Sequence, residues 1–414
     1  MTQMSAQQKT AVGLIGALLV VSLCAFAFLG GYVTRMQTSK TTVAAVADST
    51  DAGQQFGALS EIYDVLKQNY VDPSKLDSVP DLKQGAIDGL LNTVGDTHQV
   101  YVRPQDVQFE ETDLAGQFEG IGATVTQKNG QVSIEGLIDG YPASKSNLRV
   151  GDIITSVDGQ SMQGKTSTDV VRLIRGQAGT QVKVGVQHPD GSKEEVSLTR
   201  AQVKLQSVFT ENLKDGDGNP VTDIAYLRIT QFQATTDKEV QDFLKSIQGK
   251  SYKGLIIDLR NNPGGYLQTT ENILADFLKP GQVELIHQGR NNQESTDTSR
   301  PGAVPTNLPI VVLVNKNSAS ASEITAGALR DDGRATVIGE QTFGKGTVNQ
   351  FFKLPKDGGE VYVTVEHWLT PKREAIEGKG ITPDVVVHLA DNEDVKSYFN
   401  SQLYAAIDLL HKGS

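Results

Sequence analysis

"LPIVVLVNKNSASASEITAG", residues 308–327, changes character twice. An apolar run over 310–314, of the kind a strand buried on both faces requires, gives way to a polar turn and then to a helical pattern. Ser320 and Glu323 stand in the S-x-x-E spacing of a capping box, so Ser320 is the expected N-cap of a helix that starts at Ala321. This arrangement presents a serine beside unpaired N–H groups at the positive end of a helix, where an oxyanion would be stabilised. Most serines in this spacing only cap, so the tract needs support from elsewhere in the chain.

Outward from it, short strands alternate with helices: "DIAYLRI" (223–229), "DKEVQDFLKSI" (237–247), "GLIIDLR" (254–260), "YLQTTENILADFL" (266–278) and the run at 310–314. Such alternation predicts an α/β core. The period is different upstream. From about Phe118, "GIGATVTQ", "GQVSIEGLI", "GDIITSVDG", "QVKVGVQ" and "EEVSLTR" read as strands, with one helix, "STDVVRLIRG", among them. They form a compact β-rich module. Before it lie two helical patterns, "FGALSEIYDVLKQNY" and "DLKQGAIDGLLNTV". In the first, Leu59, Ile62, Tyr63, Leu66 and Tyr70 recur at helical spacing and need a surface to pack on, either the main body or a second copy of the chain.

The N-terminus carries a targeting signal. Residues 11–33 have no charge, follow Lys9 and precede Arg35. As a helix they would extend about 35 Å, enough to cross a bilayer. They read as an uncleaved signal anchor, with a peptide cleaved near Ala25-Phe26-Ala27 as the alternative. Residues 34–55 are small and polar and read as a tether.

Composition narrows the function. The 414 residues suffice for about two or three domains. A net charge of −11 without a basic stripe argues against a nucleic-acid partner. The single cysteine, Cys24, excludes an intrachain disulfide framework, and the scattered histidines show no metal spacing, so no metal or cofactor is expected.

Two further motifs bear on the serine turn. "GEQTFGKGTVNQ" (339–350) surrounds Lys345 with glycines after a β-like run. It nearly matches a phosphate-binding loop, but Gly346 stands where Ser or Thr would hold magnesium, and a strand pattern follows instead of a helix. A lysine in a glycine turn is commonly just a surface residue; brought beside a serine it is a general base. "GLIIDLRNNPGGYL" (254–267) ends a buried strand in Pro263-Gly264-Gly265, where paired glycines let backbone N–H groups approach a ligand closely, or simply turn the chain.

Taken together, "NSASASEITAGALRDDGRATVIGEQTFGKGTV", "DLRNNPGG", "NYVDP", "GDTHQVYV" and "GITPDV" resemble the C-terminal processing peptidases, serine peptidases with a Ser–Lys dyad. The resemblance covers nearly the whole chain beyond residue 56. It implies Ser320 as nucleophile, Lys345 as general base, and oxyanion donors at the amides of Ala321 and of Gly264 or Gly265. Ser318 and Ser322 would then shape the turn. It also implies a crotonase- or Clp-like α/β spiral for the core. Members usually carry a glutamine four residues after the lysine to orient the amine. Here Asn349 occupies that place and Gln350 follows, and Asn349 is the tentative replacement unless a bulge shifts the register. Phe343 is the apolar neighbour expected to desolvate the lysine. The β-rich module resembles a PDZ domain, with "FEGIGATV" (118–125) as the loop and strand that receive a peptide C-terminus. Gly120, Ile121 and Gly122 are the candidate carboxylate-binding residues. Arg175, at the end of the module's helix, is the tentative gating residue.

The expected organisation is a short tail (1–10), a transmembrane anchor (11–33), a linker (34–55), an N-terminal helical region for dimerisation or capping (56–110), a PDZ domain (111–202), a peptidase core (203–390) and a C-terminal helix (391–414). The expected function is that of a single-pass, membrane-tethered endopeptidase with its catalytic domain outside the cytoplasm. It would act on proteins or peptides with apolar C-termini and form a homodimer in which "NSQLYAAIDLL" (400–410) adds a contact. The alternatives are a binding scaffold with an inactive peptidase body and a hydrolase using His287 or His367 as base.

Overall fold

The computed structural model describes residues 50–76, 79–96, 98–107, 115–389, 393 and 398–412. The predicted anchor, Cys24 and most of the predicted linker lie outside these residues; among the described helices none is long and apolar enough to cross a membrane. The chain divides into two units, residues 1–86 and 87–414. The described part of the first is the helix α1 (Thr50–Asn69), a 3₁₀ turn over Pro73–Leu76 and the start of α2 (Val79–Thr93). α1 starts inside the stretch read as a tether, because its first turns are polar and carry no periodic signal. Leu59, Ile62, Leu66 and Tyr70 of the predicted stripe are exposed.

In the second unit, β1 (Val100–Val102) is followed by the β-rich module. β2 (Gln117–Gly120) opens it, and β3 (Ala123–Lys128), β4 (Gln131–Leu137), β5 (Ile153–Val157), β6 (Gln160–Ser161), α3 (Ser167–Ile174), β7 (Gln181–Gln187) and β8 (Lys193–Thr199) build it. β9 (Ala201–Lys204) closes it. The sheet order is β3-β4-β5-β7-β8, with β6 on β5. Its core is Ile134, Ile154, Val170, Val184 and Leu198 among others, and alternate residues of β7 and β8 point outward. The chain enters through β2 and leaves through β9, and these two strands pair with each other in an antiparallel ribbon, Gln117 opposite Lys204 and Gly120 opposite Ala201. At the foot of the ribbon Gly116 has φ 74°, which favours glycine, and a Cβ there would lie 2.7 Å from Gln233 Oε1 and displace that side chain.

The core follows: β10 (Val208–Phe209), β11 (Ile224–Ile229), α4 (Thr236–Ile247), β12 (Gly254–Asp258), α5 (Leu267–Leu274), β13 (Val283–Gln288), β14 (Glu294–Thr298), β15 (Ile310–Val314), α6 (Ala321–Asp331), β16 (Ala335–Gly339), β17 (Thr347–Lys353), β18 (Glu360–Leu369), β19 (Val385–Val386) and α7 (Ser401–Lys412). The main sheet has the order β10-β11-β12-β15-β16-β19, parallel except at β10. Every residue of β12 and β15 is buried, as strands covered on both faces must be. Leu255, Ile257 and Val312 face α4, α5 and α6, whereas Ile256, Val311 and Leu313 face Leu403, Ala406, Ile407 and Leu410 of α7. The apolar stripe of "NSQLYAAIDLL" therefore covers its own sheet and is not a further dimer contact. Ile407→Ala should destabilise the fold by about 2–5 kcal/mol, the usual result of emptying a buried aliphatic site. The drop in urea midpoint relative to the native chain should be the same at low and high protein concentration.

A second, antiparallel sheet, β1-β18-β13-β14 with β17 on β18, joins residues distant in sequence. Val100–Val102, assigned on sequence to the N-terminal helical region, belong here: Tyr101 and Val102 are buried and pair with Val361 and Glu360. A three-residue strand is too short to leave a period.

Candidate active site

Three neighbouring strands of the parallel sheet deliver the three motifs. β12 runs into Asn261–Gly265, β15 into Asn315–Ser320 and β16 into Glu340–Gly346, and β12 pairs with β15 and β15 with β16. Open parallel sheets place ligands outside the carboxyl ends of their strands. All three loops emerge there.

The serine turn is strained. Ser320 has φ 54° and ψ −115°, a conformation that costs a non-glycine residue roughly 1–3 kcal/mol and needs surrounding structure to hold it. That structure is visible. Ser318 Oγ donates to Leu259 O (2.8 Å) and accepts from Asn315 N (2.9 Å); Ser322 Oγ donates to Asn262 O (3.0 Å). Ala319 N donates to Asn262 O at 3.0 Å. The two outer serines are buried and bind the turn to the loop after β12, while Ser320 between them is only half-buried. Gly264 lies against this turn with φ 103°; a Cβ on it would come within 2.8 Å of Ser320 Cβ. Its amide already donates to Asn262 Oδ1 (2.9 Å). The amides of Ala321 and Gly265 donate to nothing among the described residues.

Glu323 connects the serine turn to the lysine loop. It is buried, and its Oε2 accepts from Ser320 N (2.8 Å) and Lys345 N (2.9 Å). Its Oε1 accepts from Gly344 N (2.7 Å) and Thr342 Oγ1 (2.5 Å). The backbone of Ser320 and that of Lys345 thus meet on one carboxylate oxygen. The S-x-x-E spacing pointed to the first of these bonds; the other three cross to a loop that sequence spacing does not connect to it. Burial pushes the Glu323 carboxyl above its ordinary range, against the pull of these four donors. Phe343 N donates to Ser318 O (3.0 Å), and Trp368 Nε1 donates to Lys345 O (3.1 Å), fixing the loop on its other side.

Burial holds the Lys345 ammonium below its ordinary range, opposed by the carboxylates of Glu377, Asp96 and Glu323. Phe343, the expected apolar neighbour, is itself 58 % exposed. The aromatic neighbour is Tyr362, whose ring centroid lies 5.5 Å from Nζ. Asn349 does not take the orienting place. Its Nδ2 donates to His98 O (3.2 Å) and Thr364 Oγ1 (2.9 Å), and its Oδ1 accepts from Thr347 Oγ1 (3.3 Å). The register shifts between Val348 and Asn349, with β18 supplying the extra residue, and Gln350 is exposed. His287 has both ring nitrogens occupied, by Glu366 (2.6 Å) and Asp297 (2.7 Å), so it is not available as a base for Ser320.

In the β-rich module a groove of about 440 Å³ runs between β3 and α3, lined by Ile121, Val125, Ile134, Val171 and Ile174. At its end the amides of Ile121 and Gly122 donate to nothing among the described residues, while their carbonyls accept from Ala143 N (2.8 Å) and Ile138 N (2.9 Å). The guanidinium of Arg175 stacks on Phe118, 4.5 Å from the ring centroid, at the rim of this groove. Arg172 ties the module to the segment just beyond β1: its Nη2 and Nε donate to Asp106 Oδ1 at 2.6 and 3.0 Å. Nothing in the sequence singled out that pair.

The chain is similar to known proteins over most of its length. A model of peptidase family S41 matches residues 223–387, and a PDZ-domain model matches 133–188. The carboxy-terminal processing protease CtpB of Bacillus subtilis is 36% identical over 361 residues, covering 86% of this chain and 72% of that protein. CtpA of the same organism is 34% identical, covering 88% and 76%, and the carboxy-terminal-processing protease of Bartonella bacilliformis is 32% identical, covering 92% and 85%. With such identity running through most of both chains, from the helices before the PDZ domain to the strands that carry the serine and lysine loops, the protein belongs to the carboxy-terminal processing peptidases and is a serine-type peptidase with a PDZ domain.

Proposed function

We infer that the chain is a membrane-tethered endopeptidase that captures C-terminal tails in its PDZ groove and cuts with Ser320 as nucleophile and Lys345 as general base. The observation that carries the dyad is the Glu323 carboxylate oxygen shared by the Ser320 and Lys345 amides. In this reading the neutral Lys345 amine takes the Ser320 proton as Oγ attacks the scissile carbonyl. The oxyanion is received by the Ala321 and Gly265 amides, since that of Gly264 is committed to Asn262. The lysine then returns the proton to the leaving amine, and water hydrolyses the acyl-enzyme.

The PDZ groove takes an apolar tail as an added strand beside β3, its carboxylate on the Ile121 and Gly122 amides, with Gly120 leading into the loop. Arg175, on the groove rim, and Arg172, on Asp106, are the residues through which a bound tail would act on the core. Residues 11–33 anchor the protein in the cell membrane, with the catalytic domain on the extracytoplasmic side. The exposed apolar residues of α1 support a homodimer formed through the N-terminal helices.

The test uses the full chain reconstituted in vesicles, given a loosely folded protein with an apolar tail. Mapped fragments should appear with the native chain and be absent with Ser320→Ala, and the chain should float with the vesicles. Equal fragment yields from both proteins would refute the assignment of Ser320.

A further inference from the structure

The turn that carries Lys345 has a partner on the far side from Glu323. Glu377, in the loop after β18, accepts from Gly346 N–H through Oε2 at 2.7 Å. The approach is close: a Cβ on Gly346 would lie 2.7 Å from the Glu377 amide nitrogen, so the two backbones are in contact. The other oxygen, Oε1, lies 3.3 Å from His98 Nε2. His98 is in turn fixed from both directions, its amide donating to Asp96 Oδ1 (2.8 Å) and its carbonyl accepting from Asn349 Nδ2 (3.2 Å). The residue at the place where an amide would orient the lysine thus braces His98 instead.

We propose that Glu377 is a positioning residue for Lys345: held by the Gly346 amide and the His98 ring, its carboxylate is a fixed counter-charge beside the turn that carries the lysine. A neutral amide oxygen would orient the lysine with only a dipole; a carboxylate adds a full counter-charge and favours the ammonium more strongly. The groups facing Lys345 are Glu377 from the loop after β18, Asp96 from the segment before β1, Glu323 from α6 and the Tyr362 ring from β18. Of these carboxylates, Glu377 is the one bonded to the residue that follows Lys345 in the loop. The chain then carries a base that turns on at higher pH than burial alone would set.

The proposal rests on Lys345 being the general base, and the experiment separates the two. In Glu377→Gln the amide oxygen still accepts from Gly346 N–H, so the loop geometry is kept while the charge is lost. The rising limb of kcat/KM against pH should move down by roughly one pH unit, with KM little changed. Glu377→Asp should return the limb toward the native position. Independently, the pH dependence of Lys345 labelling by acetic anhydride, read by mass spectrometry in a Ser320→Ala background, should show the same downward movement in Glu377→Gln. An unmoved labelling midpoint overturns the proposal, even if turnover falls uniformly at every pH, because that is the signature of a merely structural role. A midpoint that moves while the activity limb stays fixed upholds the charge coupling and refutes Lys345 as the base.

Discussion

Lys345→Ala should reduce hydrolysis of a peptide substrate by about a thousandfold or more, with a native circular dichroism spectrum and unfolding midpoint. In the proposed dyad an alanine would leave Ser320 no group to take its proton, and only the residual acceleration from the oxyanion amides and substrate binding would remain. The fold should survive because the loop is held through its backbone: Glu323 binds the Lys345 N–H and Trp368 its carbonyl, neither through the side chain. In the native enzyme turnover should rise with pH through the lysine's depressed value, since only the neutral amine accepts a proton and burial favours that form. The variant should lose this limb together with its activity. Retained turnover in folded Lys345→Ala would remove the dyad.

Glu323→Gln should be nearly as damaging and for a different reason. The carboxylate has two oxygens and accepts from four donors: the Ser320, Gly344 and Lys345 amides and the Thr342 hydroxyl. A glutamine of the same shape presents one oxygen and one NH₂, so two donors would face another donor in a buried place. Each unsatisfied buried group costs about 1–3 kcal/mol, so the expected loss of stability for the two is about 2–6 kcal/mol. Catalysis should fall further, by about a hundredfold in kcat, because the register between the Ser320 turn and the Lys345 loop is what this residue sets. Near-native kcat with reduced stability alone would show that the two loops hold their places without it.

The sequence displayed the parts of this site better than their connections. Ser320, Lys345 and the paired glycines were legible because each follows a strand, and strand ends in a parallel sheet converge. The role of Glu323 was half legible: a capping spacing announces a bond three residues away but not bonds to residues 342–345, which depend on β15 and β16 being neighbours. His98 and Glu377 meet across most of the catalytic unit, and neither lies in a motif that calls for the other. The bulge opposite Asn349 is a two-against-one count on β18, invisible to any periodicity on β17. Likewise the stripe of α7 looks the same whether it covers its own sheet or a partner's; only the alternation of Ile256, Val311 and Leu313 toward that face decides it.

The paired entry and exit strands of the PDZ domain have a consequence for how the chain folds and how such a chain arose. An insertion joined by two separate linkers forces the host to close a long loop, at an entropy that grows by about 0.6 kcal/mol per doubling of length. Here β2 and β9 hydrogen-bond to each other, so the folded insert presents its two ends side by side. To the peptidase core, the whole module is equivalent to a tight hairpin. The core can therefore assemble around an already closed junction, and a module gained or exchanged at this point leaves the order of the catalytic strands untouched.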